Sequence, residues 1–168
     1  MRYALLDRDG TIIVEKNYLK SIEDLELLPH SAAGLRKLAG QGFGLIIVTN
    51  QSGIGRGLMT ALDVEAIHLE LKRRLAREGV QIEGIYYCPH APHQHCECRK
   101  PKPELGHRAA SDHGFNPRES IVIGDKTSDI EFGRAIGAAR TILVKTGYGE
   151  QHEHTAKADQ ICRDLSEI

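Results

Sequence analysis

Five short apolar runs recur along the chain, and the first four are each followed by a residue that can carry chemistry. The runs are Tyr3-Ala-Leu-Leu6, Leu45-Ile-Ile-Val48, Ile85-Tyr-Tyr87, Ile121-Val-Ile123 and Thr141-Ile-Leu-Val144. A strand with one wet face alternates apolar and polar residues. A continuous run needs apolar cover on both faces, as in a parallel sheet between two helical layers. Asp7, Thr49, Cys88 and Gly124-Asp125 close the first four runs. Ligands of open α/β sheets bind beyond the carboxyl ends of the strands, so these residues are expected to converge on one edge.

Between the runs lie segments with helical spacing. Ser31 is a candidate N-cap for a helix carrying Leu35, Leu38 and Ala39 on one side and closing near Gly40. Thr60 and Asp63 have the spacing of a capping box, with Val64, Ile67, Leu71 and Leu75 following at helical intervals up to Gly79. Two further helices are predicted over about 103–113 and 128–136. The alternation gives a three-layer α/β sandwich with a mainly parallel, Rossmann-like sheet and right-handed crossovers, formed by one domain over 1–168.

Composition narrows the function classes. The chain has 168 residues, is 27% charged and carries a formal net charge of -1, so nucleic acid and anionic membranes are not expected partners. No apolar stretch is long enough to span a bilayer. The opening Met1-Arg-Tyr-Ala-Leu-Leu-Asp7 runs straight into a motif, from which a cytoplasmic location is expected.

The sequence Asp7-Arg-Asp9-Gly10-Thr11 sets two carboxylates two residues apart, beside a glycine that permits a sharp turn. One carboxylate can bind a hard cation such as Mg²⁺ and attack phosphorus, while the other moves protons. Gly124-Asp125-Lys126-Thr127-Ser128-Asp129 brings further carboxylates to the same edge. With these residues the chain resembles the haloacid dehalogenase (HAD) superfamily of phosphatases, whose first motif is D-x-D-x-T and whose fourth is an acidic GD-x-x-x-D. The resemblance implies Asp7 as nucleophile, Asp9 as general acid and base, and Mg²⁺ held by Asp7, the Asp9 main-chain carbonyl and Asp125. Asp129 would act through water. It implies Thr49 as the hydroxyl that binds phosphoryl oxygens, followed by Asn50. Lys100 is the favoured motif lysine, with Lys102 a competitor that spacing does not separate.

Three of the four cysteines fall in one segment, Cys88-Pro-His90 to Cys96-Glu-Cys98, with the pattern C-x-H-x5-C-x-C. Three thiolates and an imidazole form a closed tetrahedral set suited to structural Zn²⁺, with His93 and His95 as substitute ligands. The set leads directly into Arg99-Lys100, so a bound zinc would fix two cations over the phosphate site.

The whole motif set, including Thr49-Asn-Gln-Ser-Gly-Ile-Gly-Arg-Gly57, resembles the capless sugar-phosphate branch of the superfamily. Heptose-bisphosphate phosphatases and histidinol-phosphate phosphatases belong to this branch, and no cap domain fits between the motifs. By that resemblance Glu15, Asn17 and Tyr18 line the sugar site, with Gln51, Ser52, Arg56 and Lys126 nearby. Arg99 would reach the far end of the substrate. The implied partner is a small phosphosugar and the implied state a monomer. Histidinol phosphate is the alternative substrate, and a non-catalytic phosphosugar-binding protein the distant one.

Overall fold

The computed structural model describes residues 1–168. Six strands form one all-parallel sheet: β1 (Arg2–Leu6), β2 (Phe43–Asn50), β3 (Gly84–Cys88), β4 (Ile121–Gly124), β5 (Arg140–Val144) and β6 (Gln160–Cys162). Their order is β3-β2-β1-β4-β5-β6. The chain first builds outward from β1 through β2 to β3, then returns to the other side of β1. The order in which strands are added therefore reverses between the parallel neighbours β1 and β4, where Leu6 pairs with Ile123. Asp7 and Asp125 follow these two neighbouring strands, at the point where such folds bind their ligands.

The helices are α1 (Ser31–Gly40), α2 (Ser52–Gly55), α3 (Ala61–Arg77), α4 (Glu104–His113), α5 (Thr127–Ala135) and α6 (Gly149–His152). Successive side chains in a strand point to opposite faces, and the core divides accordingly. Ala4, Leu6, Leu45, Ile47 and Ile123 pack with Leu35 and Leu38 of α1 and Ile67, Leu71 and Leu75 of α3. Leu5, Ile46, Val48 and Val122 pack with Leu105 and Ala109 of α4 and Phe132 of α5. The expected three layers are present, and no helix is long and apolar enough to cross a membrane.

Helix α3 forms as its sequence prescribes. Thr60 caps it in a full capping box with Asp63, an arrangement worth about 1 kcal/mol. Val64, Ile67, Leu71 and Leu75 are fully buried, each contributing roughly 1.5–3 kcal/mol. Helix α1 departs from expectation. His30, in a left-handed conformation, is the N-cap, and Ser31 is the first helical residue, buried without a side-chain partner. The buried stripe is Ser31, Gly34, Leu35 and Leu38, whereas Ala39 is exposed. The cause is tertiary: Gly34 lies against the backbone of Leu165, so the face turned inward is the one that admits this close approach. Strand β6 is an additional element, and the segment from Gln151 to His154 begins within α6.

Candidate active site

The carboxyl ends of β1 and β4 set the acidic half of the site. Asp7, Asp125 and Asp129 offer ligand atoms that all lie within 4.8 Å of one another. Asp7 follows β1, Asp125 follows β4, and Asp129 sits in the first turn of α5. Gly10 makes the close packing possible. Its φ is +83°, and a Cβ there would fall 2.3 Å from Oδ2 of Asp125. That same Oδ2 accepts from the Tyr148 N–H at 2.8 Å, while Oδ1 of Asp125 is buried without a partner.

Crowding of buried carboxylates raises the proton affinity of Asp7 and of Asp125. Burial pushes Asp7 up against the pull of Lys100, and with Asp129 and Asp9 adding to the rise it stands at about 6. Burial, then Asp7 and Asp129, push Asp125 up to about 8.

Lys100 is the cation that answers this charge. Its Nζ donates to Oδ1 of Asp7 at 2.8 Å and to the Val48 carbonyl at 2.6 Å, and lies 2.7 Å from Oδ1 of Asp129. Burial would lower its pKa, but Asp129 and Asp7 outweigh that and raise it. Lys102 is exposed and pairs with Glu97. The structure thus separates two lysines that spacing left equivalent.

The β3–α4 loop delivers Lys100. Cys88 Sγ lies 3.0 Å from Cys98 Sγ and 3.5 Å from Cys96 Sγ, and His90 Nδ1 is 3.2 Å from Cys98 Sγ. This is the expected ligand set, with His93 and His95 exposed outside it. The main chain of Lys100 is held twice by the Asn50 side chain, which accepts from its N–H at 2.9 Å and donates to its carbonyl at 3.1 Å.

Asp9 occupies a different environment. Arg8, buried to 1% exposure, donates from Nε and Nη2 to both Asp9 oxygens at 2.9 Å. Gln51 donates to Asp9 Oδ2 and to Thr49 Oγ1, each at 2.9 Å. Burial pushes Asp9 upward, but the guanidinium and the Gln51 amide overcome it and hold the carboxyl below its ordinary range.

A cavity of about 210 Å³ opens onto these groups. Its lining includes Asp7, Asp9, Thr49, Asn50, Gln51 and Lys100, together with Glu15, Asn17, Tyr18, Ser52, Arg99 and Lys126. Of the expected residues, Arg56 does not line it, and Asp125 lies behind the lining within the carboxylate cluster. Asn17 and Tyr18 both have positive φ, so the chain turns tightly where these two residues line the cavity. Nη1 of Arg99 is buried without a protein partner.

Comparison with known proteins places this geometry. A HAD-hydrolase-like family model matches residues 97–168. A D-glycero-alpha-D-manno-heptose-1,7-bisphosphate 7-phosphatase of Photorhabdus laumondii is 39% identical, covering 88% of this chain and 85% of its own. The D-glycero-beta-D-manno-heptose-1,7-bisphosphate 7-phosphatase of Escherichia coli K12 is 35% identical over 97% of this chain and 89% of its own. The chain belongs to the HAD-like phosphatases. The fold agrees closely with a crystal structure of the D,D-heptose 1,7-bisphosphate phosphatase of B. bronchiseptica, solved with magnesium and phosphate. The TM-score is 0.91 at 30% identity, covering 99% of this chain and 94% of that one.

Several residues of this HAD-like phosphatase site were not singled out in the sequence. Ser128 and Tyr148 line the cavity, and Lys126 lies 4.8 Å over the Tyr148 ring. Arg8 sits in plain view between two aspartates, and a buried guanidinium there has to pair with one of them. His68, whose Nε2 is 3.1 Å from Arg8 Nη1, falls in phase with Val64, Leu71 and Leu75. A histidine on a buried helical stripe was the available signal.

Proposed function

We propose that the chain hydrolyses the 7-phosphate of D-glycero-D-manno-heptose 1,7-bisphosphate, with Asp7 as nucleophile and Mg²⁺ as cofactor. The observation that carries this reading is the 2.8 Å contact of Lys100 with Asp7 inside a cluster of three carboxylates. A divalent cation fits the residues present, because Asp125 Oδ1 is buried without a partner and the cluster has more negative charge than Lys100 alone offsets. The side chains of Asp7 and Asp125 and the main-chain carbonyl of Asp9 would hold it. When bound, Mg²⁺ supplies the charge that offsets repulsion between a carboxylate and a phosphate dianion.

The chain's own residues then account for both displacements. A carboxylate oxygen of Asp7 forms a bond to phosphorus as the bond to the sugar oxygen breaks, and Asp9 gives that oxygen a proton. Asp9 next takes a proton from a water that attacks the aspartyl-phosphate, releasing phosphate and restoring Asp7. Lys100 and Thr49 hold the phosphoryl oxygens. Asp9 is kept ionised by Arg8 in the free protein, and a phosphate dianion beside it raises its affinity for a proton.

Glu15, Asn17, Tyr18, Ser52 and Lys126 are assigned to the sugar side. Arg99, with its unpartnered Nη1, is assigned to the second phosphate. Asn50 and Gln51 serve mainly by holding Lys100, Thr49 and Asp9, since their amides are hydrogen-bonded within the protein. Cys88, His90, Cys96 and Cys98 are assigned to one structural Zn²⁺. Residues 1–168 are read as one phosphatase domain acting in the cytoplasm as a monomer. The names of the relatives that cover nearly the whole chain support the heptose substrate over histidinol phosphate.

The test is phosphate release measured side by side on the α and β heptose bisphosphates and on histidinol phosphate. At least a tenfold preference in kcat/KM for one heptose bisphosphate is expected, ~1.4 kcal/mol of differential transition-state binding. Faster hydrolysis of histidinol phosphate would reverse the assignment.

A further inference from the structure

Arg8 is held on four sides. Besides its two bonds to Asp9, its Nη2 donates to Gln51 Oε1 at 3.0 Å, and its Nη1 lies 3.1 Å from His68 Nε2. A buried guanidinium has five donors and no acceptor, so each neighbour must accept from it. His68 therefore presents a bare Nε2 and carries its proton on Nδ1. It is 7% exposed, and burial together with the adjacent Arg8 keeps it neutral, down to a pKa of about 3. Its ring meets the edge of Tyr87 at a centroid distance of 5.4 Å. It is carried by α3, a rigid helix whose start is fixed by a capping box.

We infer that His68 is a positioning residue for Asp9: by accepting from Nη1 it sets the plane of the Arg8 guanidinium, which clamps the carboxylate. The inference rests on reading Asp9 as the general acid. Two bonds from one guanidinium to both carboxylate oxygens fix the carboxylate plane, but only while the guanidinium itself cannot turn. Gln51 and His68 stop that turn from opposite arms of the fork. Without the His68 acceptor, Nη1 is a buried unsatisfied donor, and the guanidinium turns to recover a partner. Asp9 turns with it, and displacements of about 1 Å near a reacting group can cost as much as 10²-fold in rate.

The experiment compares His68→Leu and His68→Gln with the wild-type protein on two substrates, heptose 1,7-bisphosphate and p-nitrophenyl phosphate. The sugar leaves as an alkoxide that needs the proton, whereas p-nitrophenolate leaves without one. The readout is the first-turnover rate of leaving-group release, which excludes the later water attack in which Asp9 serves both substrates alike. His68→Leu is expected to slow the bisphosphate by about 10- to 100-fold with little change in substrate affinity, and the aryl phosphate by less than about threefold. His68→Gln, whose amide oxygen can accept from Arg8, is expected to restore the bisphosphate rate to within about threefold. Equal losses on both substrates, or no loss on either, would overturn the inference. If His68→Leu does not fold, His68→Phe keeps the ring against Tyr87, removes the acceptor and is judged by the same outcomes. Asp9→Asn is assayed in parallel. Should it show no leaving-group dependence, the acid assignment fails and the inference with it. Should Asp9→Asn show the dependence and His68→Leu not, only the role of His68 is lost.

Discussion

Nζ of Lys100 lies 2.8 Å from Oδ1 of Asp7 and 2.7 Å from Oδ1 of Asp129, so one buried ammonium bridges two carboxylates. The side chains involved are all less than a tenth exposed, and the pairing operates with little screening by solvent. Lys100→Met should therefore lower kcat by at least about 10²-fold, as removal of one preorganised charge-stabilising group does. It should also destabilise the metal-free protein by roughly 3–5 kcal/mol, the cost of leaving buried charges without a partner. Lys102→Met, at an exposed pair, should leave both quantities nearly unchanged. Steady-state kinetics and thermal denaturation of the two variants check this contrast.

The raised proton affinities of Asp7 and Asp125 give the metal-free protein a definite pH dependence. Both carboxyls hold protons more tightly when folded than when unfolded, so the stability this gives is present at acid pH. It is lost as pH rises through about 6 and about 8. Mg²⁺ binds the deprotonated cluster and opposes that loss. The rise in Tm caused by Mg²⁺ should be larger at pH 8 than at pH 5. At about 100-fold excess over Kd the stabilisation is ~2.7 kcal/mol, several degrees for a chain of this size. An equal or smaller shift at pH 8 would contradict the cluster as the metal site.

Chelation should act at a distance from the carboxylates. Cys98 is separated from Lys100 by a single residue, and its Sγ lies against those of Cys88 and Cys96. Metal analysis is expected to find about one Zn²⁺ per chain. Cys98→Ser should lose that metal and reduce kcat by more than it raises KM, because Lys100 is released while the sugar-lining residues remain. Full activity in zinc-free protein would remove the loop's role.

Gly10→Ala should damage the site although no functional group is lost. The added methyl would meet Asp125 and the backbone of Gly147, and φ of +83° is strained for alanine. A destabilisation of roughly 1–3 kcal/mol and a weakened response to Mg²⁺ are expected. Circular dichroism melts with and without Mg²⁺ measure both.

The parts of the fold that were legible in sequence are those in which local pattern and tertiary demand agree. The four inner strands β2, β1, β4 and β5 are continuous apolar runs because both faces are covered. The half-buried edge strand β3 still reads as an apolar run, and α3 has both its cap and its stripe. Strand β6 escaped notice because Gln160-Ile-Cys162 is a three-residue run at the edge of the sheet, with Ile161 exposed. Ser31 looked like a cap by residue type, yet the tight entry through His30 and the contact of Gly34 with Leu165 decided the start of α1. In the site, the residues named by motifs converge in the structure, whereas those that hold them in place have no motif of their own. Asp7, Asp9, Asp125 and the cysteine loop stand out by spacing, whereas Arg8 and His68 gain meaning only when α3 packs beside β1. Asn50 and Gln51 were legible as neighbours of Thr49, but their internal hydrogen bonds follow from three-dimensional proximity.

The charge at the centre is divided between two separate stretches of chain. The carboxylates issue from β1, β4 and the start of α5, while the ammonium arrives on a loop closed by thiols, 93 residues from Asp7. The anionic half is tied to the register of the central strands and tolerates little change. The cationic half hangs from one irregular segment that can be lengthened, shortened or recomposed without disturbing the sheet. A lineage of such proteins could therefore exchange what is admitted above the centre by rewriting the loop ahead of Lys100, provided that lysine still reaches Asp7, while the strands stay as they are.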